Sequence, residues 1–368
     1  MIPFIDLYLQ YESIKNEIDN AIKSCIQESN FIKGKAVSDF ESAFAEYLGA
    51  EYCLGVGNGT DALEIILKSL QIGAGDEVIV PALTWIATAE AVNNVGAEPV
   101  FVDVNSLNYT IDFKSIERQI TKKTKAIIPV HLYGCPADMN EIIRIAEKFG
   151  LYVIEDCAQA HGAEYFGKKV GTFGIASAFS FFPSKNLGAF GDGGAIVTNN
   201  KELADLSKEI SNHGQLNKKH KHLMIGRNSR LDSIQASILR VKLKYLDEWN
   251  LKRQQAAMHY ISRLNDNSEL ILPLKENDKK HVFHLFNIRC RNRSRLIDLL
   301  EAESISWGIH YPSPLPFLDA YRYKKHKTED FASAVRITNE IISVPIYPEI
   351  TSDQIDIICD QMLKYGRA

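Results

Sequence analysis

Two patterns predict an α/β fold with a mostly parallel sheet and helices on both faces. Residues 60–200 alternate helical periods with short apolar runs, as crossover units do. Those runs are short and β-branched, the composition of strands buried on both faces. A chain of 368 residues is long enough for such a domain plus a smaller one.

The elements follow in order. TDALEIILKSLQIG predicts a helix with Ala62, Leu63, Ile66, Leu67 and Leu70 on one face, ended by Gly73 and Gly75. EVIVP predicts a strand, WIATAEAVNNVG a helix and PVFVDV a strand. KAIIPVHLYG predicts a strand, MNEIIRIAEKFG a helix and LYVIED a strand. Beyond Gly171 the strands ASAFSFF and GGAIVTN come closer together, followed by the helix ELADLSKEISN. Residues 213–229 have no strong period and read as a long polar loop, a common place for function. From Arg230 one long helical pattern runs through ISRL. After a break at NDNSELILPLKENDKKH, the stretches VFHLFNIRC, SRLIDLLEAES, ISWGIHY and TSDQIDIICDQMLKYG suggest a smaller α+β unit. The boundary is placed near residue 245, giving a large domain over 1–245 and a small C-terminal domain over 246–368.

Composition narrows the function. Hydrophobic residues make up 45% and charged residues 24%, with a net charge of −4, so no global basic surface attracts nucleic acid. None of the six cysteines forms a Cys-x-x-Cys pair, which argues against a zinc or dithiol site; no metal is expected. The N-terminus lacks the basic start and apolar stretch of a signal peptide, and no apolar run would span a membrane. A cytoplasmic location is the default expectation.

Open α/β sheets bind ligands at the carboxyl ends of their strands, and three segments there carry chemistry. In LGVGNGTDAL, Gly55, Gly57 and Gly59 precede a helix start at Thr60. Free amides at a helix N-terminus bind phosphate; the bland alternative is a tight turn with Thr60 as helix cap. In LYVIEDCAQAHGA, Asp156 closes an apolar strand and needs a cation or donor, with a structural salt bridge as the alternative. Gln159 and His161 follow; a histidine so placed is more often structural than catalytic. In FSFFPSKNLGAFGDGG, Lys185 follows aromatics and Pro183 and precedes Gly188, Gly191, Gly193 and Gly194. Apolar surroundings lower a lysine's pKa and make its amine nucleophilic; a snorkelling surface lysine is the alternative. Together the segments suit pyridoxal 5′-phosphate, which needs a lysine for its aldehyde, an acid for its pyridinium nitrogen and an anion cradle for its phosphate. Lys185, Asp156 and Gly59–Thr60 supply these.

GNGTDAL, EDCAQAHGA, FSFFPSKNLGAFGDGG and GRNSRLDSIQA, in this order and spacing, resemble the DegT/DnrJ/EryC1/StrS family of nucleotide-sugar aminotransferases. The likeness runs from FIDL near the start to GIHYPSPLP near the end. It implies a fold-type I aminotransferase, with a mostly parallel seven-stranded sheet in the large domain, that works as a homodimer with shared active sites. It further implies Lys185 as the Schiff-base lysine, Asp156 as the pyridinium acid, Gln159 near the ring hydroxyl and Trp85 stacked on the ring. Gly59, Thr60 and Ser180 match the phosphate contacts, and Asn228 the phosphate contact donated by the other subunit. His310 and Tyr311 are expected to face the sugar. The basic cluster around Lys219 could meet the diphosphate or be a solvated loop. Phe182 stands where related enzymes often have a tyrosine.

The resemblance implies two half-reactions, with glutamate as amino donor and Lys185 moving the proton. It is nearest to enzymes that aminate C3 of a dTDP-linked 3-keto-6-deoxyhexose, giving a 3-amino-3,6-dideoxyhexose. Amination at C4 and a non-catalytic regulator are the alternatives carried forward. A dehydratase of the same family would have histidine in place of Lys185. A nicotinamide-dependent oxidoreductase would need Tyr11 and Lys15 after the glycine loop, and they precede it.

Overall fold

The computed structural model describes residues 1–215, 220–274 and 276–365. Seven strands form the main sheet: β1 (Tyr52–Val56), β2 (Glu77–Pro81), β3 (Glu98–Val102), β4 (Thr124–Ile127), β5 (Tyr152–Asp156), β6 (Ala176–Ser180) and β7 (Gly194–Thr198). Their order is β1-β7-β6-β5-β4-β2-β3. The pairs β2–β3, β2–β4, β4–β5 and β5–β6 are parallel, and β7 runs antiparallel to β1 and β6. Both the α/β class and the mostly parallel sheet match the expectation.

Neighbouring residues of one strand enter different cores, as period 2 requires. Val78 and Val80 pack with the helix Gly59–Ser69, whereas Ile79 packs on the opposite face with Phe40 and Phe44. The sheet is therefore sandwiched between helical layers, which explains its lack of polar alternation. Because six strands point the same way, the carboxyl ends of β1, β2, β5 and β6 open onto one edge. The antiparallel β7 begins at that edge.

A second sheet, Leu270–Ile271, Phe286–Cys290 and Ile341–Val344, is antiparallel. With the helices Arg293–Ala302 and Ser352–Tyr365 it builds a separate apolar core. Ile2 joins this core, its main chain bonded to Ser304 and Ser306.

The structure corrects three local expectations. KAIIPVHLYG is a strand only to Ile127; Pro129 has no N–H for the ladder, and a turn occupies Leu132–Gly134. The long helical pattern after Arg230 is two helices, Ser233–Leu243 and Leu246–Leu264, broken at Lys244–Tyr245. Glu17 bonds both residues at the break. The helix cap in the glycine-rich segment is Asn58, which accepts from the Asp61 amide at 2.8 Å, and not Thr60.

Candidate active site

A cavity of about 820 Å³ opens at the carboxyl edge of the large sheet, within the range of small-molecule sites. Gly59, Thr60, Trp85, Asp156, Gln159, Ser180, Lys185, His310 and Tyr311 all line it. Each of them from Gly59 to Lys185 sits at or just beyond the end of β1, β2, β5 or β6, or in the turn after β6.

Lys185 follows β6 in the turn closed by its own amide on the Phe182 carbonyl, 2.9 Å away. The next residue, Asn186, is buried and donates to Asn250 and to the Val282 carbonyl, which ties the turn to the C-terminal half. Burial pushes the Lys185 amine down to about 8, while the Asp156 carboxylate pulls it back up. A minor but appreciable share of neutral, nucleophilic amine is therefore present near neutrality.

Asp156 is buried at the end of β5. Burial raises its pKa; the Ala158 amide at 3.1 Å, the Thr88 hydroxyl at 2.8 Å and the Lys185 charge act the other way. Such a carboxylate gains most when a cation meets it inside the cavity. A pyridinium N–H is a group of that kind.

Among the described residues, the Gly59 and Thr60 amides have no backbone acceptor, and they open the helix Gly59–Ser69. A Cβ on Gly59 would lie 2.9 Å from the Ser180 Cβ, so glycine keeps the cradle open. Free amides, two hydroxyls and a helix N-terminus suit a phosphate. Two acids near this cradle, Asp61 and Glu64, are both paired with Arg227, which offsets part of their charge. The donor set thus fits pyridoxal phosphate at all three of its functional groups.

Gln159 is fixed at both ends, accepting from the Tyr133 amide at 2.7 Å and donating to the Tyr311 hydroxyl at 2.9 Å. Trp85 is exposed to the cavity mouth, its ring 5.7 Å from Tyr311. Phe182 also lines the cavity, offering no hydroxyl there.

One expected residue lies elsewhere. Asn228 is exposed and outside the cavity of its own chain. Lys219 falls outside the described residues. His161 is buried against Phe179 and Phe181, away from the cavity, and burial pushes it down to about 3, so it is neutral and structural.

Sequence reasoning missed Thr88, Asn186 and Tyr133. It also missed Glu155, one residue before the key acid. Glu155 is buried and accepts from His131 and from the amides of Gly171, Phe173 and Gly174. His131, Glu155 and Cys157 bring ligand-type atoms together. However, His131 Nδ1 already accepts from the Ala137 amide, leaving Nε2 to donate to Glu155. This cluster braces β5 and has no free lone pair on the imidazole for a metal.

No helix among the described residues is long and apolar enough to cross a membrane.

The model of the DegT/DnrJ/EryC1/StrS aminotransferase family matches residues 12–363. The chain is 45% identical over 366 residues to the dTDP-3-amino-3,6-dideoxy-alpha-D-galactopyranose transaminase of Aneurinibacillus thermoaerophilus, covering 100% of both chains. It is 42% identical to a pleiotropic regulatory protein of Geobacillus stearothermophilus, covering 100% of this chain and 99% of that one. Among solved structures it is similar to S. venezuelae DesV in complex with a ketimine intermediate. The TM-score is 0.97 at 39% identity, over 100% of this chain and 99% of that one.

Proposed function

Starting from a chain that belongs to the DegT/DnrJ/EryC1/StrS aminotransferase family and depends on pyridoxal phosphate, we propose that it aminates C3 of a dTDP-linked 3-keto-6-deoxyhexose. The amino donor is glutamate and the product a dTDP-3-amino-3,6-dideoxyhexose. One observation carries the reading: a lysine of lowered pKa, a buried aspartate and free helix amides line one cavity. The full-length likeness to a dTDP-3-amino-sugar transaminase supports the choice of C3 and of dTDP.

In this reading Gly59, Thr60 and Ser180 bind the phosphate, and Trp85 covers one face of the ring. Asp156, oriented by Thr88, keeps the pyridine nitrogen protonated. Gln159 meets the ring hydroxyl with a carboxamide already fixed by Tyr133 and Tyr311. When bound, the cofactor supplies an electron sink for the carbon that loses a proton. Lys185 is its covalent anchor. Once freed, its amine takes a proton from the substrate's α-carbon and returns it at the cofactor's C4′. His310 and Tyr311 face the sugar, and the charge of the diphosphate is assigned to Lys219, outside the described residues.

Asn228 acts on a neighbour's cofactor phosphate in a homodimer. Its exposure and its absence from the lining of its own chain's cavity support that role. Mixing Lys185→Ala and Asn228→Ala chains tests this. Hybrid dimers regain one native site, whereas a chain using its own Asn228 gains nothing on mixing. The protein works in the cytoplasm, in keeping with six unpaired cysteines.

The deciding assay incubates holoenzyme with glutamate and, in parallel, dTDP-3-keto, dTDP-4-keto and UDP-linked 3-keto sugars. The position of nitrogen in the product is read by NMR. Turnover only with the 4-keto sugar would overturn the C3 assignment. Absence of 2-oxoglutarate formation in every arm would favour a regulator.

A further inference from the structure

His310 is held on several sides. Its ring stacks on Phe4, with centroids 5.6 Å apart, and its carbonyl accepts from the Tyr133 hydroxyl. A Cβ on Gly308 would lie 2.7 Å from His310 Cε1, so only glycine leaves room for the ring. On its remaining side, Nδ1 sits 2.8 Å from Ser343 Oγ.

Ser343 is fully buried in the strand Ile341–Val344, and its main chain pairs both ways with Gly308, at 3.0 and 2.8 Å. Strand register therefore sets the distance between hydroxyl and imidazole. Asn287 lies directly across the ladder from Ser343, and its Oδ1 accepts the Ser343 hydroxyl proton. A hydroxyl has one proton to donate. With that proton directed to Asn287, Ser343 Oγ can only accept from His310. Nδ1 must then carry the hydrogen, and a neutral imidazole has just one. Burial and the Lys185 charge push His310 down to about 4, so the ring is neutral at ordinary pH.

We propose that Ser343 and Asn287 are positioning residues that lock His310 in its Nδ1–H form, so that Nε2 presents a lone pair to a hydroxyl of the substrate sugar. The proposal deepens the reading above and rests on it for the identity of that substrate. Its consequence is a division of labour. His310 reads a neutral hydrogen-bond donor and takes no part in holding the diphosphate, whose charge must be met elsewhere. A site built around an acceptor discriminates strongly against an analogue lacking the matching hydroxyl.

The test is 15N NMR of histidine-labelled holoenzyme, with the His310 signals assigned through His310→Gln. The wild type is expected to show a protonated Nδ1 and an unprotonated Nε2 across neutral pH. Ser343→Ala should move the ring toward the Nε2–H form. Asn287→Asp, which keeps an acceptor oxygen, should retain the wild-type pattern. In single-turnover kinetics, Ser343→Ala should slow the sugar half-reaction about tenfold, the loss of one well-placed hydrogen bond, and the glutamate half-reaction less. An Nε2–H tautomer in the wild type, or an unchanged tautomer in Ser343→Ala, would overturn the proposal. If the wild type shows no glutamate half-reaction, the aminotransferase reading fails, and the wild-type spectrum still decides the tautomer.

Discussion

Only a neutral amine attacks an aldehyde, so the capture of pyridoxal phosphate by the apoenzyme should follow the protonation of Lys185. At pH 7 a lysine with the ordinary pKa of 10.5 is neutral in about one molecule in 3,000. With the amine at about 8, the neutral share is about one in ten. The site thus raises the reactive fraction roughly 300-fold. The rate of capture should climb about tenfold per pH unit below 8 and flatten above it. Asp156→Asn removes the carboxylate that partly offsets burial, so the bend should move to lower pH. Stopped-flow absorbance after mixing apoenzyme with the cofactor, from about pH 6 to 10.5, measures the profile. A rate still climbing tenfold per unit through about pH 10 would mean that the cavity does not perturb the amine, and the argument from burial would fall.

Three other consequences are open to direct measurement. Gly59→Ala places a Cβ 2.9 Å from Ser180 and narrows the cradle; cofactor affinity should drop at least about tenfold, read by fluorescence titration, with circular dichroism unchanged. Thr88→Val removes a hydrogen bond to the Asp156 carboxylate, worth about 2 kcal/mol. The proton-transfer step should slow by about 30-fold while cofactor remains bound, and an unchanged single-turnover rate would count against Asp156 as the pyridinium acid. For Glu155, burial works to raise the pKa, but the His131 hydrogen bond and the Gly174 and Gly171 amides outweigh it and hold it below the usual value. Its stabilisation is therefore fully present above the unfolded pKa of about 4.5 and is lost as pH falls through the folded value. Glu155→Gln should unfold at lower urea at neutral pH and show a flatter loss of stability toward about pH 3. Parallel curves for both proteins would refute the assignment.

Much of the site could be read in the chain because the sheet rule points to strand ends. Asp156 and the Gly59–Thr60 turn lie where apolar runs stop, and local composition marks Lys185. The contacts that tune these groups were invisible for a physical reason: they join residues that only tertiary packing brings together. Thr88 lies 68 residues before Asp156 and reads as an ordinary helical threonine. Asn287 and Ser343 meet through the register of a small antiparallel sheet. The break at Lys244–Tyr245 carries no proline or glycine; its anchor, Glu17, is supplied from the helix Lys15–Glu28. Tyr133 adopts a left-handed backbone, φ 59°, which no sequence signal predicts for a tyrosine. Ser180, His310, Tyr311 and Asn228 were named only by resemblance, and Asn228 is not among the lining of its own chain's cavity.

The account stands on Lys185 as the covalent anchor of the cofactor. Borohydride reduction of the yellow holoenzyme followed by peptide mass mapping tests it most directly. The predicted result is loss of the visible absorbance with a pyridoxyl group on Lys185 alone, and neither change in Lys185→Ala. A pyridoxyl group on another lysine, or a wild-type protein that binds no reducible cofactor, would contradict it.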